Sequence, residues 1–89
     1  MQAETFLVEM EAWNGLDAVM RVTMIARRAK LIPRDLNASF EPSRVRIVLK
    51  VTGDPRETRW LVAKLERLPE ITSIRARRIN GDYEETLVA

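Results

Sequence analysis

The sequence predicts an α+β fold of element order βαββαβ, and three observations carry that prediction. Stretches with apolar residues at every second position alternate with stretches in which they recur at the 3, 4 and 7 spacings of a helix. The breaks between them fall at Asn14-Gly15, Glu41-Pro42-Ser43 and Gly53-Asp54-Pro55, where turn and cap residues concentrate. The chain has 89 residues and is 46% hydrophobic, which suffices for one core and not for two.

In the first strand Phe6, Val8, Met10 and Ala12 alternate with Leu7, Glu9, Glu11 and Trp13, giving one apolar face and one mostly acidic face. The period then changes. Leu16, Val19, Met20, Val22, Thr23 and Ala26 fall on one helical stripe, the apolar side of an amphipathic helix. Asn14 is placed to cap this helix through its side-chain oxygen, and Asp17 favours the same positive end. Arg27, Arg28 and Lys30 load the other end with cations, and the helix is expected to stop near Ala29.

Pro33 belongs at the entry of an edge strand, because it cannot donate to a ladder. That strand sets Leu36, Ala38 and Phe40 against Asp35, Asn37 and Ser39 and ends at the Glu41-Pro42-Ser43 turn. Val45, Ile47, Leu49 and Val51, alternating with Arg44, Arg46, Val48 and Lys50, make the clearest strand. The second helix starts at Asp54 as N-cap, with Pro55 in the first helical position and Glu57 closing a capping box. Leu61, Leu65 and Leu68, with Thr58 and Val62, form its inner stripe; Pro69 ends it, and Ile71, Ile74 and Ala76 supply a last strand. Residues 1–79 are therefore expected to form the domain. Residues 80–89 are a tail that opens with a turn at Asn80-Gly81 and becomes acidic, and the pattern gives it no structure. Two βα units joined by a hairpin give the ferredoxin-like plan: a four-stranded antiparallel sheet, both helices on one face, the first and third strands central.

Composition narrows the function. There is no cysteine, so neither disulfides nor thiolate metal sites are available. There is also no histidine, which removes the usual acid–base group near neutral pH. A formal net charge of +2 implies no nucleic acid. No apolar run approaches the roughly 20 residues that span a bilayer, and the opening Met-Gln-Ala-Glu lacks a basic segment and apolar core. The expectation is a soluble, cytoplasmic protein with no membrane contact, no cofactor, no metal and no catalytic residues.

Two places remain for function. On the bare sheet face Glu9 and Glu11 are flanked by Arg44, Arg46 and Lys50 on one side and by Arg75 and Arg77 on the other, a pattern of cross-strand charge pairs. RNA binding there would need stacking aromatics, and Leu7, Glu9, Glu11, Arg46 and Val48 occupy those places. Phosphate chemistry of the acylphosphatase kind would need an arginine in the first loop, which Ala12 to Leu16 lack. The second place is the turn Asn14-Gly15-Leu16. It reads either as a cap and a flexible residue, or as a point where glycine lets a ligand or a neighbouring subunit approach the helix amides.

The Asn14-Gly15-Leu16 turn, the helix ending in Arg27-Arg28, the strand Val45 to Val51 followed by Gly53-Asp54, and Leu61, Leu65 and Leu68 before Ile71 together resemble an ACT domain, over about residues 5 to 79. The chain is most similar to the short form of the small regulatory subunit of acetolactate synthase (acetohydroxyacid synthase). That resemblance implies a homodimer built by sheet or helix edges, with an effector site near Asn14, Gly15 and Leu16 at the dimer interface. The effector would be a branched-chain amino acid. It also implies a partner, the thiamine-diphosphate-dependent catalytic subunit of branched-chain amino acid biosynthesis. Trp13 before Asn14-Gly15, Ala29 in place of a glycine, and Leu31-Ile32-Pro33 in place of an asparagine depart from the family pattern. A surface for the partner is expected on the second helix at Arg56, Arg59, Trp60, Lys64 and Arg67, since tryptophan amid arginines is what interfaces favour; the same residues also fit a solvated face with Trp60 folded against its neighbours. The alternative function is a free-standing ACT-like amino-acid-binding module that regulates another partner.

Overall fold

The computed structural model describes residues 3–80 and 83–87. The elements are β1 (Glu4–Ala12), α1 (Gly15–Ala26), β2 (Leu31–Phe40), β3 (Val45–Gly53), α2 (Pro55–Glu66), β4 (Ile71–Asn80) and β5 (Tyr83–Leu87). The strands form one antiparallel sheet in the order β2-β3-β1-β4-β5. The expected order βαββαβ, with β1 and β3 central among the first four strands, is present, and both helices pack on one face. β5 was not anticipated: it pairs from Ala76↔Leu87 to Asn80↔Tyr83, so much of the tail extends the sheet. The expected turn at Asn80-Gly81 lies partly outside the described residues. Among the described residues no helix is long and apolar enough to cross a membrane.

The core is one layer between sheet and helices. β1 supplies Phe6, Val8, Met10 and Ala12, β3 supplies Val45, Ile47, Leu49 and Val51, and the helices close over them with Ala18, Val22, Leu61, Val62 and Leu65. Two bulges correct the strand period. One lies between Pro33 and Asp35, where Arg34 is passed over in the pairing with β3, so that Pro33 and Leu36, three residues apart, both face the helices. The other lies opposite Glu11 and Ala12, where Thr72 is the extra residue and its hydroxyl donates to the Glu11 carbonyl at 3.1 Å. It brings Ile71 and Ile74 to the same side. A bulged residue shifts alternation by one, which is why these strands read as irregular.

The structure corrects three local expectations. α1 ends at Ala26 rather than near Ala29. Its buried residues are Ala18 and Val22, whereas Leu16 and Met20 are exposed at 63% and 55%; the apolar stripe read from the sequence thus mixes the core face with the opposite one. At α2, Asp54 caps as expected, accepting from the Arg56 N–H at 2.9 Å. Glu57 does not complete a capping box, because its Oε1 accepts from the Lys30 N–H at 3.1 Å and so ties the start of α2 to the segment entering β2.

The Asp54 carboxyl is held below its usual range, first by the Arg56 backbone N–H and also by the Arg56 guanidinium. A carboxyl whose folded pKa is depressed contributes stability above its unfolded pKa and loses that contribution as pH falls through the folded value. Asp54→Asn keeps the capping acceptor without the titration. It is expected to flatten the acid limb of the stability profile as pH falls from about 5 to about 3, measured by urea unfolding at each pH; a limb unchanged from the parent would show that other carboxylates dominate it.

Candidate functional site

The turn between β1 and α1 is built from two consecutive left-handed residues, Asn14 at φ 75° and Gly15 at φ 48°. Asparagine and glycine are the residues that adopt this region at least cost. The conformation changes what Asn14 does: its side chain makes no capping hydrogen bond, and its carbonyl accepts from the Asp17 N–H at 3.1 Å. On the strand side the Trp13 N–H donates to the Glu70 carbonyl at 3.0 Å, which pins the turn to the segment entering β4. A Cβ placed on Gly15 would meet nothing within 4 Å. The backbone at Gly15 therefore faces open space, beside the exposed Leu16 and at the end of α1 where first-turn amides lack helical partners. The three expected site residues lie together at one accessible helix N-terminus, with Asp17 already in that first turn.

An exposed apolar surface continues from it. Leu16, Met20 and Met24 sit one turn apart on the outer face of α1, at 63%, 55% and 62% exposure. Leu36 and Phe40 of the edge strand β2 are also exposed, on its helix side, opposite the buried Leu49 and Val45 of β3. Between α1 and β2 a groove of about 400 Å3 is lined by Thr23, Ala26, Arg27, Leu31, Pro33, Leu36, Leu49 and Val51. The sequence places β2 at a sheet edge but does not single out Met24, because apolar residues surround so much of α1 that periodicity alone does not choose its buried side.

The expected partner surface on α2 is basic, with Arg56, Arg59, Lys64 and Arg67 exposed. Trp60 is half-buried and packs against the core, with the Lys64 ammonium 5.9 Å from its ring centroid. The tryptophan is thus folded against its neighbours, and the exposed surface consists of the cations around it. On the bare sheet face the charge pairs form across the strands. Glu9 meets Arg77 at 2.9 Å and Arg75 at 3.5 Å, and Glu11 meets Arg44 at 3.2 Å and Arg46 at 3.3 Å. Arg44 also hydrogen-bonds Glu41 and holds its carboxyl below the usual range. Each of these two carboxylates is shared by two arginines, so these pairs carry a net positive charge. Among the described residues no cluster of histidine, cysteine, aspartate and glutamate is placed to hold a metal ion.

The sequence profile of the ACT domain family matches residues 15–74, about two thirds of the chain. The chain belongs to the ACT domain family. Solved structures share the fold of this ACT domain. The ACT domain of the GTP pyrophosphokinase of Chlorobium tepidum is 8% identical, covers 84% of this chain and 99% of its own, and superposes with a TM-score of 0.77. The C-terminal domain of the MgtC protein of Mycobacterium tuberculosis is 11% identical, with 90% and 92% covered and a TM-score of 0.73. A homoserine dehydrogenase of Thiobacillus denitrificans is 14% identical with a TM-score of 0.74; 89% of this chain but only 18% of that enzyme is covered. No curated protein matches the sequence. ACT domains are regulatory amino-acid-binding modules without catalytic chemistry of their own.

The left-handed turn makes a graded test of this site. Gly15→Val, forced to positive φ with a branched side chain, is expected to lose about 1–2 kcal/mol of stability, and Gly15→Asn only a fraction of that. Urea unfolding of both variants checks the order, and equal losses would mean that the turn relaxes out of the left-handed region.

Proposed function

We propose that this ACT domain is the non-catalytic regulatory subunit of a thiamine-diphosphate-dependent acetolactate synthase, binding and activating the catalytic subunit in the cytoplasm. A branched-chain amino acid would be sensed at Asn14, Gly15 and Leu16, at the interface of a homodimer. The observation that carries the reading is the open left-handed turn at the start of α1, beside an apolar flank that a second copy would cover. Glycine there leaves room for an amino acid to reach the helix amides. The resemblance of the turn, the Arg27-Arg28 helix end and the Gly53-Asp54 strand end to the small subunit of that synthase supplies the partner.

The homodimer follows from the same flank. β2 is a ten-residue strand at the sheet margin, with an unpaired outer edge and exposed Leu36 and Phe40. Long edges of this kind invite pairing unless charged or covered. Two copies meeting along β2 would also bring together the outer faces of their α1 helices. Light scattering is expected to give twice the 10.3 kDa chain mass, and a Leu36→Lys/Phe40→Lys variant to give the monomer with unchanged circular dichroism. A parent that is monomeric at micromolar concentration would rule this interface out.

Activation requires that the chain bind the active state of the catalytic subunit more tightly than the inactive one. A tenfold shift in that equilibrium needs about 1.4 kcal/mol of differential affinity. The cations Arg56, Arg59, Lys64 and Arg67 are the expected contacts on this side, with Trp60 stiffening the helix from below. Mixing the protein with purified catalytic subunit from the same source is expected to raise the rate of acetolactate formation from pyruvate, and Arg59→Glu/Arg67→Glu to abolish the rise. No complex on gel filtration and no rise would replace this reading with that of a free-standing amino-acid-binding module acting on another partner.

A further inference from the structure

The flank of α1 turned away from β2 holds a second site. Arg21, Met24, Ile25 and Arg28 of α1 and Leu68 beyond α2 line a cleft of about 300 Å3. Beneath it lies a group that the reading above does not use. Glu70 is 4% exposed; its Oε2 accepts from Arg21 Nε at 3.0 Å, while its Oε1 is buried and receives no hydrogen bond. Burying a carboxylate for one ion pair with a half-exposed arginine contributes little to stability, because desolvation offsets the attraction. What the arrangement does achieve is orientation: a buried anion fixes Arg21 by its Nε and leaves the terminal guanidinium nitrogens for another partner. Arg28 lies two turns further along the same face and has no ion-pair partner among the described residues.

We propose that this cleft binds a small aliphatic carboxylate, its head group taken by the Arg21 and Arg28 guanidiniums and its body lying on Met24, Ile25 and Leu68. Charge selects the class: two guanidiniums and one buried carboxylate leave one positive charge, which suits a monoanion, and a planar guanidinium matches a carboxylate in two-point contact. The floor selects the body, since the lining between the arginines is a thioether and two branched aliphatic chains, surfaces that adapt to an alkyl group. A cleft of about 300 Å3 has room for a short alkyl chain. The β2 groove and the Asn14-Gly15 turn contribute no lining residue to the cleft, which shares only Met24 with the outer row of α1. Ligand binding here is read directly, without the catalytic subunit, so it is tested separately from the regulatory assignment.

The test is a methyl-resolved NMR titration of the full chain with 4-methylpentanoate, run beside 4-methylpentan-1-ol as the uncharged analogue. Saturable shifts at the Met24, Ile25 and Leu68 methyls are expected, with a dissociation constant in the millimolar range, about tenfold weaker for the alcohol and for Arg28→Glu. Arg28 is exposed, so that variant folds as the parent does. Arg28→Gln, which removes one positive charge and keeps a polar side chain, is expected to weaken the carboxylate and leave the alcohol unaffected, a split that loss of packing alone would not produce. The proposal is overturned if no saturable shift appears by about 50 mM, if acid and alcohol bind equally, if Arg28→Glu changes nothing, or if the shifts are confined to residues 14–16.

Discussion

The centre of this domain is held by the burial of one face of β1. The strand has hydrogen-bonded neighbours on both sides, β3 and β4, and its inner side chains Phe6, Val8, Met10 and Ala12 are at most 1% exposed. Burying a side chain of the size of Phe, Val or Met contributes about 2 kcal/mol, and β3 alongside it contributes a matching row, Val45, Ile47, Leu49 and Val51. The helices can cover this row only by lying side by side above it, which places the ends of β1 at the ends of the helices. One of those ends is the Asn14-Gly15 turn. The position of the candidate site is therefore a consequence of where the core strand stops, and the left-handed pair is what lets the chain reverse onto the sheet within two residues.

Regular alternation was legible in the sequence wherever it was unbroken, as in β1 and β3, and the strand order followed from the connections. The bulges at Arg34 and Thr72 are less visible, because one inserted residue looks like a weak strand rather than a corrected one. The α1 error has a different origin. A helix with leucine, methionine, valine, isoleucine and alanine on three of its sides has no single periodic solution. The residues that face the core are Ala18 and Val22, chosen by how closely the helix approaches the sheet rather than by hydrophobicity. The capping box failed at Glu57 because its carboxylate takes a tertiary partner instead, the Lys30 N–H.

Charge placement was easier to read than charge consequence. Glu9 and Glu11 were expected to meet arginines on both sides and do, yet two carboxylates shared among four arginines leave these pairs net positive, and it is the lack of stacking aromatics at Leu7, Glu9, Glu11, Arg46 and Val48 that argues against RNA there. Glu70 went unremarked in the sequence because a glutamate after a proline reads as an exposed turn residue. Its burial depends on Arg21, which lies 49 positions earlier, and on the Trp13 amide, which its carbonyl accepts. Such a residue becomes visible only when the segment entering β4 is laid against α1.

The two helices divide the possible work of the domain unequally. α2 is apolar only inward and basic outward, so it can contribute a charged surface but no large desolvated one. α1 is apolar inward toward the sheet, sideways toward β2, and outward along Leu16, Met20 and Met24, and it starts at a backbone position left open by Gly15. An exposed apolar stripe that continues onto a free strand edge has a cost for a monomer in water, and no packing within one chain relieves it. By contrast, Arg21 and Arg28 keep the remaining side of α1 charged, and Glu70 holds one of them in place. The helix that a second copy would cover on one flank thus presents, on the other, cations beside aliphatic side chains, and both proposed sites lie along α1, one at its first residue and one toward its last turn.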